Sequence, residues 1–197
     1  MSGPHGATPD RHPGTAPWEI GAPQPALLAL ADRGELHGRV LDVGCGTGEH
    51  TLMAAAAGLD ATGVDRADGP LTVAEHMARE RELTARFIQH DALALAQLGE
   101  VFDTALDSLF LHALTPTDRS RYLDGLREVL RPGGRLFVLC YSDQHSTQPI
   151  PPHTMSHSEL ESCFTDGWTV DDIQATTSSS TVHAGGVAAW LAACTRL

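Results

Sequence analysis

Basic residues are scarce in this chain of 197 residues. Lysine and arginine together number 13, against 25 aspartates and glutamates, which gives a formal net charge of −12 at pH 7. A surface of that sign repels a phosphate backbone, and no basic run offers a footprint for nucleic acid. We therefore expect no nucleic-acid substrate.

Paired cysteines and long apolar runs are also missing. The cysteines at positions 45, 140, 163 and 194 form no C-x-x-C pair, and each lies in or beside an apolar segment, as buried thiols do in a reducing compartment. The N-terminus has no basic region followed by an apolar core, and no apolar stretch is long enough to cross a bilayer. These absences predict a cytoplasmic protein without a membrane partner.

The length suits one α/β domain and is short for two. Residues 1–16 are rich in Gly, Pro, His and Thr and have almost nothing to bury, so we expect them to form a disordered tail. Residues 17–197 are then expected to form a single domain. Leucines and alanines recur with helical spacing from Pro25 to Arg33, and Gly34 ends that predicted helix.

Strand and helix signals then alternate with little interruption, which is typical of βαβ units and a parallel sheet. The predicted strands cover residues 38–43, 60–65, 85–89, 102–107 and 134–141. The predicted helices cover residues 48–57, 71–83, 91–98 and 117–130, with a short one at 156–164. Two last strands, at 168–177 and 187–195, follow each other without a helix, so we expect them to pair antiparallel.

A glycine-rich loop follows the first predicted strand. Val40, Leu41 and Val43 suit a buried strand, and the glycines at 44, 46 and 48 let the backbone turn tightly and approach a ligand. The free N–H groups of the next helix would face an anion. Glu49 stands where the dinucleotide fingerprint G-x-G-x-x-G needs its third glycine, so the pattern here is G-x-G-x-G.

This loop resembles the first motif of the class I S-adenosylmethionine-dependent methyltransferases, (D/E)-x-G-x-G-x-G. The matching residues are Asp42, Gly44, Cys45, Gly46 and Gly48. The resemblance implies a Rossmann-like doubly wound α/β sheet, with five parallel strands finished by an antiparallel strand pair and helices on both faces. It also implies S-adenosylmethionine as the cofactor and S-adenosylhomocysteine as the product.

Other strand ends carry residues to which the same resemblance assigns cofactor contacts. Asp65 closes the second strand, where a carboxylate can accept both ribose hydroxyl hydrogens, and Arg66 would lie beside the adenine. Asp91 would accept the adenine amino hydrogen, the N–H of Ala92 would contact the ring, and Asp107 would lie near the methionine portion. The alternatives are structural, because Asp65 and Asp91 could cap helices, Arg66 could be a surface residue and Asp107 a solvated strand-end carboxylate.

Two further residues are candidates for the catalytic step. His112, in the exit from the fourth strand, has an ordinary pKa near neutrality and is the best candidate for removing a proton from an acceptor. Tyr141, at the end of the fifth strand, could hydrogen-bond an acceptor or the cofactor. His112 could instead pack or bond to backbone. Since a sulfonium is already an activated methyl donor, alignment and desolvation could also suffice without a base.

A second resemblance lies near the N-terminus. Residues 17–25 read Pro-Trp-Glu-Ile-Gly-Ala-Pro-Gln-Pro and are similar to the opening of small-molecule methyltransferases related to thiol/halide, thiopurine and quinone or heterocycle N-methyltransferases. There the segment folds over the cofactor, so residues 17–36 would form a lid. Trp18 would face the sulfonium, with a cation–π attraction of about 1 kcal/mol. The alternative is that Trp18 plugs the edge of the core.

A metal site is not expected. Asp143, His145, His153 and His157 are close in sequence, but their spacing is not a standard zinc pattern and no cysteine joins them. We interpret them as loop residues around the mouth of the acceptor site.

The sequence therefore predicts a methyltransferase that modifies an N, S or O nucleophile of a small molecule. The short stretch from Tyr141 to Met155 argues against a bulky macromolecular acceptor. Two alternatives stay open: an NAD-dependent oxidoreductase, in which Asp65 would serve equally well, and a cofactor-binding partner subunit without activity of its own. Nothing in the sequence indicates the oligomeric state.

Overall fold

The computed structural model describes residues 16–144 and 153–197. Seven strands form one sheet: β1 Arg39–Val43, β2 Asp60–Asp65, β3 Arg86–Gln89, β4 Phe102–Ser108, β5 Leu130–Tyr141, β6 Trp168–Ser178 and β7 Val187–Arg196. The helices are α1 Pro25–Asp32, α2 Glu49–Ala56, α3 Asp68–Glu80, α4 Pro116–Val129 and α5 His157–Cys163. Two 3-10 helices cover Ala92–Leu98 and Leu111–Ala113.

The strand order is β3-β2-β1-β4-β5-β7-β6. The first five strands pair in parallel, and β7 pairs antiparallel with both β5 and β6. The predicted doubly wound plan with its closing antiparallel pair is confirmed. Because the chain winds outward from β1 in one direction and from β4 in the other, the crevice beyond the carboxyl ends of these two strands is where such sheets bind ligands.

Successive strand residues face two different cores, one on each side of the sheet. Val40 packs with Leu27 of α1 and Met53 of α2 on one face. Leu41, the next residue, packs on the other face in the cluster that contains Leu126 of α4. The central strands are buried because both faces are covered, as expected for parallel strands.

Two of the predicted helices differ from the observed ones for local reasons. The helix predicted for 71–83 is α3, which starts three residues earlier because Pro70 is tolerated in a first helical turn. It also ends earlier, because Glu82 turns the chain with a φ of 54°. The helix predicted for 91–98 was wrong in type: it is a 3-10 helix that is broken at Ala94.

The fifth strand begins at Leu130, four residues before the predicted start at residue 134. Leu130 pairs with Phe102, but the next pair joins Arg135 to Thr104, so the register shifts between the two. An irregularity of this kind accommodates the proline and glycines of the intervening stretch, which cannot continue a regular ladder.

The tail predicted for residues 1–16 lies outside the described residues except for Ala16. That residue is buried, although it lies one position before the predicted domain start. Within residues 16–144 and 153–197, no helix combines the length and the apolar character that a membrane span requires.

Candidate active site

The carboxyl ends of β1 to β5 meet along one edge of the sheet, and most of the predicted site residues lie there. The edge presents Asp91 just past β3, Asp65 at the end of β2, Gly44 just past β1, Asp107 near the end of β4 and Tyr141 at the end of β5. Positions that are far apart in the sequence are therefore neighbours at this edge.

The glycine loop after β1 is held against β2 and leaves one position open. The N–H of Gly44 donates to the carbonyl of Val64 over 2.8 Å. Gly48 begins α2 with a φ of 82°, and a Cβ there would lie 2.7 Å from the Cβ of Ala74. Gly46 also has a positive φ, of 53°, but no atom lies within 4 Å of the place its Cβ would take. The space beside Gly46 is therefore open to a ligand.

Asp42 lies beneath this loop and is only 1% exposed. Its Oδ2 accepts hydrogen bonds from both the N–H and the hydroxyl of Thr51, over 3.0 and 2.7 Å, which ties β1 to α2. Its Oδ1 has no partner among the described residues, and burial raises the pKa of Asp42 to about 6. Burial, followed by the charge of Asp42, raises the pKa of the buried Cys45 thiol well above its usual value. An orphaned carboxylate oxygen of this kind fits a ligand that donates hydrogen bonds or carries positive charge.

Asp65 joins the end of β2 to the glycine loop. Its Oδ2 accepts from the N–H of Gly46 and its Oδ1 from the N–H of Ala67, both over 2.9 Å. Each oxygen keeps a further lone pair for another donor. The neighbouring Arg66 is exposed, and its carbonyl accepts from the side chain of Gln89.

Asp91 caps the 3-10 helix that follows β3. Its Oδ1 accepts from the N–H of Leu93 over 2.9 Å, and the adjacent Ala92 is buried. The N–H of His90 donates to the carbonyl of Asp65 over 2.9 Å, so the two strand ends that carry these carboxylates are tied together. The capping role of Asp91 is confirmed, and its contact with adenine stays a prediction.

The exit from β4 is strained, and it carries Phe110, which the sequence did not single out within the stretch from Asp107 to His112 that it predicts to face the reacting methyl group. Leu109 has a φ of 66°, which is a rare backbone conformation for a bulky side chain and is typical of functional sites. The turn brings Phe110 to the glycine loop, where a Cβ on Gly44 would lie 3.1 Å from the Phe110 ring. No local pattern marks Leu109 or Phe110, because the contact joins positions from two different strands.

Asp107 is fully buried beneath this turn. Its carboxylate accepts from the N–H groups of Phe110 and Leu111 at 3.0 to 3.2 Å, and burial raises its pKa to about 6. The alternative of a solvated carboxylate was therefore wrong. Asp107 shapes the turn after β4, and its predicted position near a methionine portion stays a prediction.

His112 and Tyr141 face each other at the exits of β4 and β5. Their ring centroids are 4.9 Å apart, with the planes at 57°. His112 is 4% exposed, and its Nδ1 is buried without a hydrogen-bond partner in the described chain. Burial first, and then the charges of His153 and Arg119, lower the pKa of His112 to about 4. Burial also raises the pKa of the Tyr141 phenol, so both rings are neutral at pH 7.

The N-terminal segment lies along the turn that joins β6 to β7. The carbonyl of Pro17 accepts from the N–H of Thr181 over 2.9 Å. Trp18 is 47% exposed, so the alternative in which it plugs the core was wrong, and its role as a lid stays a prediction. Gln24, which sequence reasoning missed, is buried and contacts both this segment and the end of β6. The only feature of the sequence near Gln24 that could have pointed to it is its position between two prolines.

No three His, Cys, Asp or Glu side chains of the described chain lie close enough to hold a metal ion. His145 lies outside the described residues. His157 packs edge-on against Trp190, with ring centroids 5.5 Å apart, and His153 lowers the pKa of His112. His157 thus lies near the end of β5, because Trp190 pairs with Cys140, and the interpretation of these histidines as the mouth of the acceptor site stays a prediction.

The chain is similar in sequence to known methyltransferases. A methyltransferase domain family matches residues 40–134. The chain is 34% identical over 170 residues to 2-heptyl-1-hydroxyquinolin-4(1H)-one methyltransferase of Mycobacteroides abscessus. The matched region covers 85% of this chain and 75% of that protein. It is 30% identical over 155 residues to "Probable thiol methyltransferase 2" of Arabidopsis thaliana, covering 75% of this chain and 66% of that one.

A solved structure shows the same architecture. It comes from work on the conversion of a disulfide bond into a thioacetal group during echinomycin biosynthesis, and it superposes with a TM-score of 0.83 at 34% sequence identity. The match covers 93% of this chain and 86% of the other.

Proposed function

Because the chain belongs to the S-adenosylmethionine-dependent methyltransferases, we propose that it methylates a small molecule through an acidic sulfur, oxygen or nitrogen nucleophile. The observation that carries this proposal is the pairing of two features at one sheet edge. One is an open glycine loop over an orphaned carboxylate oxygen, and the other is a buried imidazole with an orphaned Nδ1.

The residues of the edge fit the cofactor. The buried carboxylate of Asp42, beneath the glycine loop, would attract the ammonium of the methionine portion, and no described atom lies within 4 Å of the place that a Cβ on Gly46 would take. The remaining lone pairs of Asp65 suit the two ribose hydroxyls. Asp91 has an oxygen that is not used in capping and suits the adenine amino group, beside the backbone of Ala92.

The other predicted contacts belong to the same proposal. Arg66 would lie beside the adenine and Gly44 beside the cofactor in the glycine loop, and Gly48 precedes the first residue of α2. Trp18 covers the site from the N-terminal segment. Asp107 acts through the turn that it shapes, because both of its oxygens accept bonds from that turn.

When bound, S-adenosylmethionine supplies an electrophilic methyl carbon on a positively charged sulfur and leaves as S-adenosylhomocysteine. The chain has to exclude water, orient the acceptor and dispose of its proton. Neutral His112 can receive that proton at a ring nitrogen. With a pKa of about 4, His112 is a weak base, so it matches an acceptor whose own proton is acidic.

The low pKa of His112 favours some acceptors over others. Thiols and N-hydroxy or phenolic hydroxyls lose a proton more readily than aliphatic alcohols or amides, so a weak base in a dry site suffices for them. The relatives act on a hydroxyquinolone and, by name, on thiols. Phe110, just after β4, and Tyr141, at the end of β5, place aromatic rings at this edge of the sheet, which suits a ring or an apolar group on the acceptor.

We also propose that the protein is cytoplasmic and that it has no nucleic-acid or membrane partner. The charge of −12 disfavours a polyanion, and all four cysteines are free thiols, three of them buried.

The comparisons do not favour the oxidoreductase or the inactive partner subunit. In the structure, the carboxylate of Glu49 accepts two bonds from Arg81, over 2.9 and 3.0 Å. A buried, paired side chain therefore stands where the dinucleotide fingerprint needs its third glycine for close packing of helix and strand.

Calorimetry with S-adenosylmethionine, S-adenosylhomocysteine and NAD tests the cofactor assignment. We expect both sulfur compounds to bind and NAD not to bind. A transfer assay with methyl-labelled cofactor then compares 2-heptyl-1-hydroxyquinolin-4(1H)-one, thiophenol, a phenol and an aliphatic alcohol. Turnover of the alcohol in preference to the acidic acceptors would contradict the proposed class, and binding of NAD alone would contradict the function.

A further inference from the structure

The turn between β6 and β7 lies at the same edge as the glycine loop. Because β7 runs antiparallel to β5, it begins where β5 ends, with Tyr141 paired to Ala189. β6 in turn ends beside the start of β7, with Ser178 paired to Val187. Residues 179–186 therefore border the carboxyl edge on the side of β5, where His112 and Tyr141 lie.

Gln24 joins this turn to the N-terminal segment. It is 2% exposed, and its Oε1 accepts from the N–H of Ser179 over 2.8 Å and from the hydroxyl of Ser178 over 3.3 Å. Its Nε2 donates to the carbonyl of Ser179 over 3.2 Å and to that of Trp18 over 3.5 Å. The buried amide is thus satisfied on both sides, and its partners lie on two different segments.

The backbone of Gln24 reaches a third element. Its N–H donates to Nε2 of His50 over 3.0 Å. His50 is the second residue of α2 and follows the glycine loop directly. Burial lowers the pKa of His50 to about 4, so near neutrality the ring keeps the lone pair that accepts this bond. The cofactor loop, the N-terminal segment and the β6–β7 turn therefore share one residue.

The segment between Pro17 and Gln24 is fixed at both of its ends. Pro17 accepts from the N–H and, over 3.4 Å, from the hydroxyl of Thr181, and Gln24 closes the other end. Between them Trp18 keeps about half of its surface exposed. An indole held in place by its backbone, and not by burial of its ring, retains apolar surface that a ligand can cover.

We propose that Gln24 is a positioning residue, which locks residues 17–24 to the start of α2 and to the β6–β7 turn and so holds Trp18 at the acceptor side of the site. The identity of the ligand in this proposal rests on the proposed function. The attachment of residues 17–24 through Gln24, called the lock below, does not depend on it. Binding of the cofactor at the glycine loop would be transmitted through His50 and Gln24 to the segment that carries Trp18.

The lock is tested first without ligand. Hydrogen exchange of the Thr181 amide, whose partner is Pro17, reports whether the segment stays docked at a site that Gln24 does not touch. In Gln24→Ala we expect this amide to exchange at least about tenfold faster. Gln97→Ala removes an exposed glutamine of the 3-10 helix and serves as the matched control, with exchange unchanged. Gln24→Glu keeps the length and the acceptor oxygen but removes both donated bonds, and we expect it to change exchange in the same direction.

The positioning role is tested with S-adenosylhomocysteine. Binding of this ligand is followed by tryptophan fluorescence in the wild type and in Trp18→Phe. The part of the fluorescence change that Trp18→Phe loses is the Trp18 signal. We expect Gln24→Ala and Gln24→Glu to bind S-adenosylhomocysteine with about a fivefold to tenfold higher Kd and to lose the Trp18 signal. A merely structural role would lower the melting temperature and leave this signal intact.

Two results would overturn the proposal. One is unchanged exchange of Thr181 in both variants, and the other is faster exchange with the Trp18 signal and the Kd as in the wild type. If the wild type does not bind S-adenosylhomocysteine, the proposed function fails, and the exchange measurement alone then decides for or against the lock. If Gln24→Ala does not fold, Gln24→Glu carries the same comparison.

Discussion

The carboxylate of Asp65 accepts a hydrogen bond from the backbone N–H of Gly46 over 2.9 Å. The end of β2 is thereby attached to the one position of the glycine loop that leaves space for a ligand. Asp65 has two tasks in consequence. It keeps the loop in place, and it presents its remaining lone pairs to the ribose of the proposed cofactor.

Asp65→Ala is expected to weaken the binding of S-adenosylhomocysteine by roughly 1 to 3 kcal/mol, because the ribose loses its acceptor and the N–H of Gly46 loses its partner. Isothermal calorimetry measures this difference. Asp32→Ala, which removes an exposed carboxylate at the end of α1, is the control and should bind as the wild type does. Unchanged binding in Asp65→Ala would show that the residue does not contact the cofactor and serves only the backbone of the loop and of the turn before α3.

Two glycines of the loop should respond differently to alanine. In Gly48→Ala the new Cβ would meet Ala74 at 2.7 Å and the Phe87 ring at 2.8 Å, so we expect a loss of roughly 1 to 3 kcal/mol in the free energy of unfolding. In Gly46→Ala the new Cβ meets no atom within 4 Å. That variant should lose only about 1 kcal/mol from its positive φ, but should bind S-adenosylhomocysteine about tenfold more weakly.

Urea unfolding and calorimetry on both variants separate these effects. Equal affinity in Gly46→Ala and the wild type would mean that the ligand does not use the open space. A fully stable Gly48→Ala would mean that α2 and α3 can move apart without cost.

Much of this arrangement could be predicted because its signals are local. The run from Val40 to Gly48 carries a buried strand, a turn and a helix start within nine positions. The strands that end at Asp65 and Tyr141 are apolar segments followed by polar residues, and the sheet order then brings their ends to one edge. Periodicity is sufficient for features of this kind.

The contacts that complete the site could not be predicted in this way. Gln24 and Ser179 are 155 positions apart, and nothing near either residue indicates the other. The φ of Leu109 is imposed by the fold, against the preference of its side chain. The low pKa of His112 results from burial and from the nearness of His153 and Arg119, which only the folded chain determines.

The pH dependence of the reaction should reflect the acceptor and not His112. Because its pKa is lowered to about 4, His112 is unprotonated throughout the range from pH 5.5 to 8, and its protonation would reduce kcat/KM only at lower pH. The dependence of kcat/KM on pH near neutrality is then expected to follow the ionisation of the acceptor, and to shift when thiophenol replaces a phenol of higher pKa.

His112→Ala should lower kcat by about a hundredfold across this range and leave the affinity for S-adenosylhomocysteine within about twofold of the wild type. His76→Ala, on the exposed face of α3, is the control. A fully active His112→Ala would remove the base assignment. An acid limb near pH 6.5 that disappears in this variant would show that His112 titrates with an ordinary pKa.

Stability should depend on pH through two opposing sets of buried groups. The pKa of His112 and that of His50 are lowered to about 4, so between pH 6.5 and 4 the unfolded chain binds more protons than the folded one. Their contribution to the free energy of unfolding falls as the pH falls through this window. The pKa of Asp42 and that of Asp107 are raised to about 6, so between pH 6 and 3.8 the folded chain binds more protons, and their contribution rises as the pH falls.

Substitution of one member of each set should reveal this opposition. His112→Asn removes a group that weakens the fold in acid, so between pH 7 and 5 its free energy of unfolding should fall by about 2 kcal/mol less than that of the wild type. Asp107→Asn removes a group that strengthens the fold in acid, so its free energy of unfolding should fall by about 1 kcal/mol more. Urea unfolding at pH 5, 6 and 7 measures both slopes. Deviations of the same sign in the two variants would show that burial does not shift the two pKa values in opposite directions.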